Sequence, residues 1–299
     1  MERGKRRSSR LAAWCTAIAL LPATFASAAY ADWNGDGSGD VIARTPAGQL
    51  YMYNGNGAGV WLYGGVSTLI GGAGWQTFNK LVAGHDFSGD GRPDILARTP
   101  AGQLFLYRGD GAGVFANGGQ YSIIGGAGWE SFNELVSGGD FNGDGRSDLI
   151  ARTHGGQLYM YKGNGAGAWL DGGAPTLIGG AGWNTYDTLL MPGDFSGDGK
   201  PDLIGRTPAG QLLMYRGNGT GYWLDDGAVT LVGGAGWQVY DMLLAGGDFS
   251  GDRKPDILAR TPDGRLFMYR GNGAGRSWTT GAPSSSAAPA GTRSTRSCW

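Results

Sequence analysis

The chain has 299 residues, with 24 Lys and Arg against 25 Asp and Glu, a formal charge of −1. That balance excludes a nucleic-acid binder held by charge. Sixty glycines beside 41% hydrophobic residues describe a glycine-turned β protein and not a disordered chain.

The chain opens on a segment with the marks of an export leader. Arg3, Lys5, Arg6, Arg7 and Arg10 form a basic start, residues 11–21 are apolar but too short to span a bilayer, and Ala26-Ser27-Ala28 is a small-residue cleavage site. The expectation is a secretory signal over 1–28, an extracellular protein and no membrane span. Removing 1–28 takes away a net +4 and leaves a charge near −5. Of the two cysteines only Cys298 would remain, so no internal disulfide staples the exported chain.

From residue 32 the sequence repeats every 54 residues without insertion or deletion, and a fixed period of this size means stacked supersecondary units. Each unit starts on a nine-residue Asp loop. Oxygen-bearing side chains stand at relative positions 1, 3, 5 and 9, and a backbone carbonyl is expected at 7, a pattern that aims hard ligands at one point as Ca²⁺ requires. The predicted ligand positions are Asp32, Asn34, Asp36, Ser38 and Asp40; Asp86, Ser88, Asp90, Arg92 and Asp94; Asp140, Asn142, Asp144, Arg146 and Asp148; Asp194, Ser196, Asp198, Lys200 and Asp202; and Asp248, Ser250, Asp252, Lys254 and Asp256. Arg92, Arg146, Lys200, Lys254 and Ser38 would contribute only their carbonyls. Glycine at position 6 supplies the positive φ such a loop needs. Arg253 replaces it in the fifth loop, so about four good Ca²⁺ sites and one weak one are expected.

After each loop come short apolar runs separated by turns. In the second unit they are residues 94–98, 103–107 and 121–124, and residues 81–84 lead into the loop. No stretch sustains a helical period. Four strands per unit, repeated radially, make the blade of a β-propeller, and the predicted fold is all-β with five four-stranded blades over 29–283. The strand that should precede the first loop is missing, so in a ring it would have to come from the C-terminus. Residues 284–299 lack the alternating apolar pattern. When residues 282–299 are back-translated, one permitted choice of G/C-rich codons, read two nucleotides later, encodes another Leu-Ile-Gly-Gly-Ala-Gly-Trp unit. The expectation is an aberrant tail, a frameshifted closing strand and a first blade with an open edge.

Two resemblances follow from these motifs. Asp-Phe-(Asn/Ser)-Gly-Asp-Gly-x-x-Asp followed by (Ile/Leu)-(Ile/Leu)-Ala-Arg resembles the FG-GAP/VCBS repeats of integrin α-like propellers, which implies Ca²⁺ in the loops. Leu-Ile-Gly-Gly-Ala-Gly-Trp-x-x-(Phe/Tyr)-x-x-Leu is similar to the repeat of tachylectin-type lectins, which are five-bladed and bind N-acetyl sugars.

Trp75, Trp129, Trp183 and Trp237 end the Gly-Gly-Ala-Gly-Trp runs. They read either as packing between blades or as exposed sugar platforms. Trp61, Phe115, Trp169 and Trp223 form a second aromatic series, expected to be more exposed. His85 and His154 have no repeat-related partners, and Glu130 and Glu134 do not by themselves make a glycosidase pair. No nucleophile–base set stands out, so no enzyme is expected. The leading functional expectation is a multivalent module binding glycans or cell-surface polymers. The alternatives are a propeller for adhesion to protein partners and a non-catalytic part of an enzyme system.

Overall fold

The computed structural model describes residues 24–25, 27–28, 32–275 and 284–285. Five small sheets form a five-bladed β-propeller. The second blade shows how the repeat builds one. Lys80–His85 runs along the inside, Asp94–Arg98 and Leu104–Arg108 follow, and Tyr121–Gly125 lies at the rim. Each neighbour is antiparallel, with Leu81 opposite Ala97, Ala97 opposite Phe105 and Phe105 opposite Ile123. The third to fifth blades begin on Phe132–Val136, Thr188–Gly193 and Met242–Gly247 in the same order.

All five residues of Asp94–Arg98 are buried, because both faces of that strand are covered by adjoining blades. Leu104 and Leu106 point the same way and are fully buried, as the period-two pattern of a half-covered strand requires. Towards the axis, Val82, Leu135, Leu190 and Leu244 from successive inner strands line an apolar void of about 40 Å³.

The ring is closed through its loops. The amide of Gly113 donates to the carbonyl of Trp33 in the preceding blade's loop at 3.1 Å. Gly167, Gly221 and Gly275 do the same to Phe87, Phe141 and Phe195. Gly59 donates to the Phe249 carbonyl at 2.9 Å, which joins the fifth blade to the first. Trp61 packs edge-on against Phe249 across the same junction, with ring centroids 5.1 Å apart.

In the full chain the inner edge of the first blade is occupied by residues that fall within the expected leader. A two-residue strand, Thr24–Phe25, pairs antiparallel with Val41–Arg44, placing Thr24 opposite Arg44 and Phe25 opposite Ala43. Ser27–Ala28 pairs in parallel with the inner strand of the second blade. At the other end, Ser284–Ser285 forms the rim strand of the fifth blade against Leu266–Tyr269. The rest of the tail lies outside the described residues. Among the described residues no helix is long and apolar enough to cross a membrane.

Candidate functional site

Two features recur with the repeat: the Asp loops and a cleft between adjacent blades. In the loops, position 6 has the expected left-handed backbone, with φ of +84° at Gly37, +81° at Gly91, +84° at Gly145 and Gly199, and +65° at Arg253. The position-1 carboxylate is wrapped by the loop's own amides. Asp86 Oδ1 accepts from Gly89 N at 2.6 Å, and Oδ2 accepts from Gly91 N at 2.7 Å.

The position-9 carboxylate points into the protein. Asp94 Oδ2 accepts from Phe87 N at 2.9 Å and Ser88 N at 2.8 Å, and Oδ1 accepts from Gly109 N at 3.3 Å. It thereby ties the loop to the end of Leu104–Arg108. Burial raises the pKa of Asp94, Asp148, Asp202 and Asp256 to about 6 and that of Asp40 to about 7, although amide hydrogen bonds pull the other way.

Among the described residues no three carboxylate, imidazole or thiol groups close on one point. In this conformation backbone amides of the loop occupy the oxygens of Asp86 and Asp94. The donors are nevertheless all hard oxygens on alternate residues of a tight turn, a set that fits Ca²⁺ in chemical type.

Each cleft forms where one blade hands over to the next. Arg44 sits at the end of Val41–Arg44, and its guanidinium donates to the carbonyls of Trp75 at 2.8 Å and Phe78 at 2.6 Å. Arg98, Arg152 and Arg206 repeat this clamp on the turns at Trp129, Trp183 and Trp237. The clamped turn presses its Trp against the next blade. Trp75 lies 4.5 Å from Tyr107 and is stacked on Phe115 at 5.2 Å, while Trp183 lies 4.4 Å from Tyr215 and 5.4 Å from Trp223. Gly71 is required here, since a Cβ would come within 2.5 Å of Trp75 Nε1.

Trp75 is only 8% exposed, and Trp129, Trp183 and Trp237 are equally buried. Their faces are covered by the next blade, so packing between blades describes these rings and an open stacking platform does not. Trp61 and Phe115 are also buried, which corrects the expectation of a more exposed second series for these two, whereas Trp169 and Trp223 are partly exposed. What remains accessible is an edge. Trp75 lines a cleft of about 530 Å³ with the Gly71–Gly74 backbone, Tyr107 and Phe115. Trp183 lines an equivalent cleft of about 420 Å³ with Tyr215, Trp223 and Asp226. Nε1–H of Trp75 and of Trp183 has no acceptor among the described residues and is not sealed from solvent, whereas Nε1 of Trp61 and Trp169 is fully enclosed and unpartnered.

The other candidates have structural roles. Lys80 and Glu134 form an ion pair that ties the second blade to the third. Glu130 accepts from the Gly128 amide at 2.8 Å. His85 is kept neutral by burial, which lowers its pKa to about 4. Sequence reasoning gave no role to the arginine that ends each (Ile/Leu)-(Ile/Leu)-Ala-Arg run, and it passed over Asp226. The available signal there was the departure from glycine at the equivalent positions 64, 118 and 172.

Fold and sites together define a repeat protein of the β-propeller class with binding-type clefts between its blades. The sequence matches the FG-GAP-like repeat family over residues 32–97, 86–151, 140–205 and 194–259, and the chain belongs to that family. No curated protein matches it by sequence. Among solved structures it is similar to one described as the de novo evolutionary emergence of a symmetrical protein shaped by folding constraints. The identity is 20%, the TM-score 0.55, and the match covers 81% of this chain and 90% of that one. A lectin from Burkholderia pseudomallei shows 16% identity and a TM-score of 0.45 over 85% of this chain and 69% of its own.

Proposed function

We propose that the protein is an exported, calcium-stabilised module that binds acetamido sugars at several equivalent clefts. The observation that carries this reading is the repeated cleft with a free indole N–H on an aromatic and glycine-backbone wall. An acetamido group offers the complement, a carbonyl oxygen for the N–H and a methyl group for the apolar wall. Repetition around a ring gives modest affinity per site and strong avidity for dense surfaces. The Asp loops lie at the blade junctions, so calcium there would act on the rigidity of the ring and not on chemistry.

The test uses a surface densely coated with N-acetylglucosamine, probed by the intact protein and by Trp75→Phe and Trp183→Phe. Phenylalanine keeps a packed ring and removes only the N–H. Binding that weakens stepwise with each substitution, while the fold is kept, is expected. No binding by the intact protein to dense acetamido sugar overturns the reading. The alternative, adhesion to a protein partner, is favoured by the exposed rim-strand side chains Leu69, Ile123, Leu177 and Leu231, which share one repeat position.

A further inference from the structure

The clefts are not chemically alike. At the lip of the one between the first and second blades stands Gly118, with φ of +66°. The equivalent residue between the third and fourth blades is Asp226, which keeps the left-handed backbone at φ +54°. Gly64 and Gly172 hold this position in the first and third blades, at φ of +67° and +65°. A side chain has therefore been placed on a backbone that favours glycine, and such strain gathers at functional positions.

The carboxylate is exposed, and it has neither a hydrogen bond nor an ion pair among the described residues. Its neighbour Asp225 is different, being engaged by Arg216. Opposite Asp226 the cleft is walled by Trp183, Tyr215 and Trp223. Tyr186, also at this cleft, shares a 2.7 Å hydroxyl–hydroxyl hydrogen bond with Tyr215, where the first cleft has Phe78.

An unpaired carboxylate at the lip of a cleft with tyrosine hydroxyls on its wall is a recognition set for an ammonium group. We propose that the cleft between the third and fourth blades takes a cationic amino sugar as well as the acetamido form, its ammonium against Asp226, and that the cleft between the first and second blades takes the neutral acetamido form alone. Asp226 is then the specificity-determining residue of a ring that reads partly deacetylated polymers. This inference rests on the carbohydrate reading given above.

The experiment is calorimetric titration of the full chain with a glucosamine trimer and, separately, an N-acetylglucosamine trimer. It compares the intact protein with Asp226→Gly and Asp226→Asn. Glycine is the residue of the other blades, so that variant is expected to fold. For an exposed charge pair the glucosamine affinity is expected to fall about threefold or more in both variants, and to fall with added salt in the intact protein. Affinity for the acetylated trimer stays unchanged. Glucosamine binding that is absent in the intact protein, or equal in all three proteins, overturns the amino-sugar assignment while acetamido binding stands. If neither trimer binds the intact protein, the carbohydrate reading falls and the assignment falls with it.

Discussion

Arg253 shows how the loop sorts its two glycines. At position 4 a Cβ on Gly89 would lie 1.9 Å from the carbonyl oxygen of Gly165 in the next blade, and Gly251 meets Gly57 at the same distance. No side chain fits there without opening the junction. At position 6 a Cβ on Gly91 or Gly199 meets nothing within 4 Å. Only the left-handed backbone opposes substitution there, at about 1–2 kcal/mol for a non-glycine residue. A residue other than glycine therefore survives at position 6 and not at position 4. Arg253→Gly relieves that strain but frees the unfolded chain, so a net gain of about 0.5–1 kcal/mol is expected. The denaturant midpoint reads it, and a lower midpoint would mean that the arginine makes a compensating contact.

At the level of elements the arginine clamps decide where each cleft lies. Arg152 is buried, and its guanidinium donates to Asn133 Oδ1 at 2.8 Å, Trp183 O at 3.0 Å and Tyr186 O at 2.7 Å. A charged donor bonded to three oxygens holds a turn that its own short helical segment, Trp183–Thr185, could not hold alone. Arg152→Ala leaves those carbonyls unsatisfied and is expected to cost about 3 kcal/mol. Arg152→Lys should rescue little, because an ammonium lacks the planar fork. Urea unfolding and the emission of Trp183 in its cleft report the two effects. Full stability in Arg152→Ala would show that the Trp ring alone fixes the turn.

For the whole molecule the balance turns on buried acids. The position-9 carboxylates have folded pKa values of about 6, and Asp40 about 7, above the usual 3.8. Between roughly pH 4 and 7 the folded chain therefore keeps protons that the unfolded chain has lost. Metal-free stability is highest at the acidic end of this window and falls as pH rises through it. A divalent cation in the loops would oppose that fall. Each site filled at a hundredfold excess over its dissociation constant adds about 2.7 kcal/mol. In chelator the melting temperature is expected to decline from pH 4.5 to 7. Ca²⁺ should restore it at pH 7, and Mg²⁺ much less. A melting curve at pH 7 that ignores both chelator and added calcium would remove calcium from the account.

Spacing carried the four-stranded unit and the count of five, because a 54-residue period without insertions repeats one alternation of buried and exposed side chains. The positive φ at position 6 was equally legible, since only glycine takes that conformation cheaply. Burial was not legible for the tryptophans. A Trp after four small residues reads alike whether its face meets solvent or another blade, and only the Arg44-type clamp and the neighbouring Tyr107 decide that the face is covered and the edge is left. Closure was also out of reach, because it depends on contacts between the ends of the chain. Gly59 meets Phe249, and Thr24–Phe25 lies beside Val41–Arg44, through pairings nearly the length of the ring apart in sequence or drawn from the expected leader. The sequence by itself determined the repeating unit, whose rules are local in backbone and pattern. The tertiary structure decided which surfaces each unit hides from water, because that depends on the neighbouring unit being there.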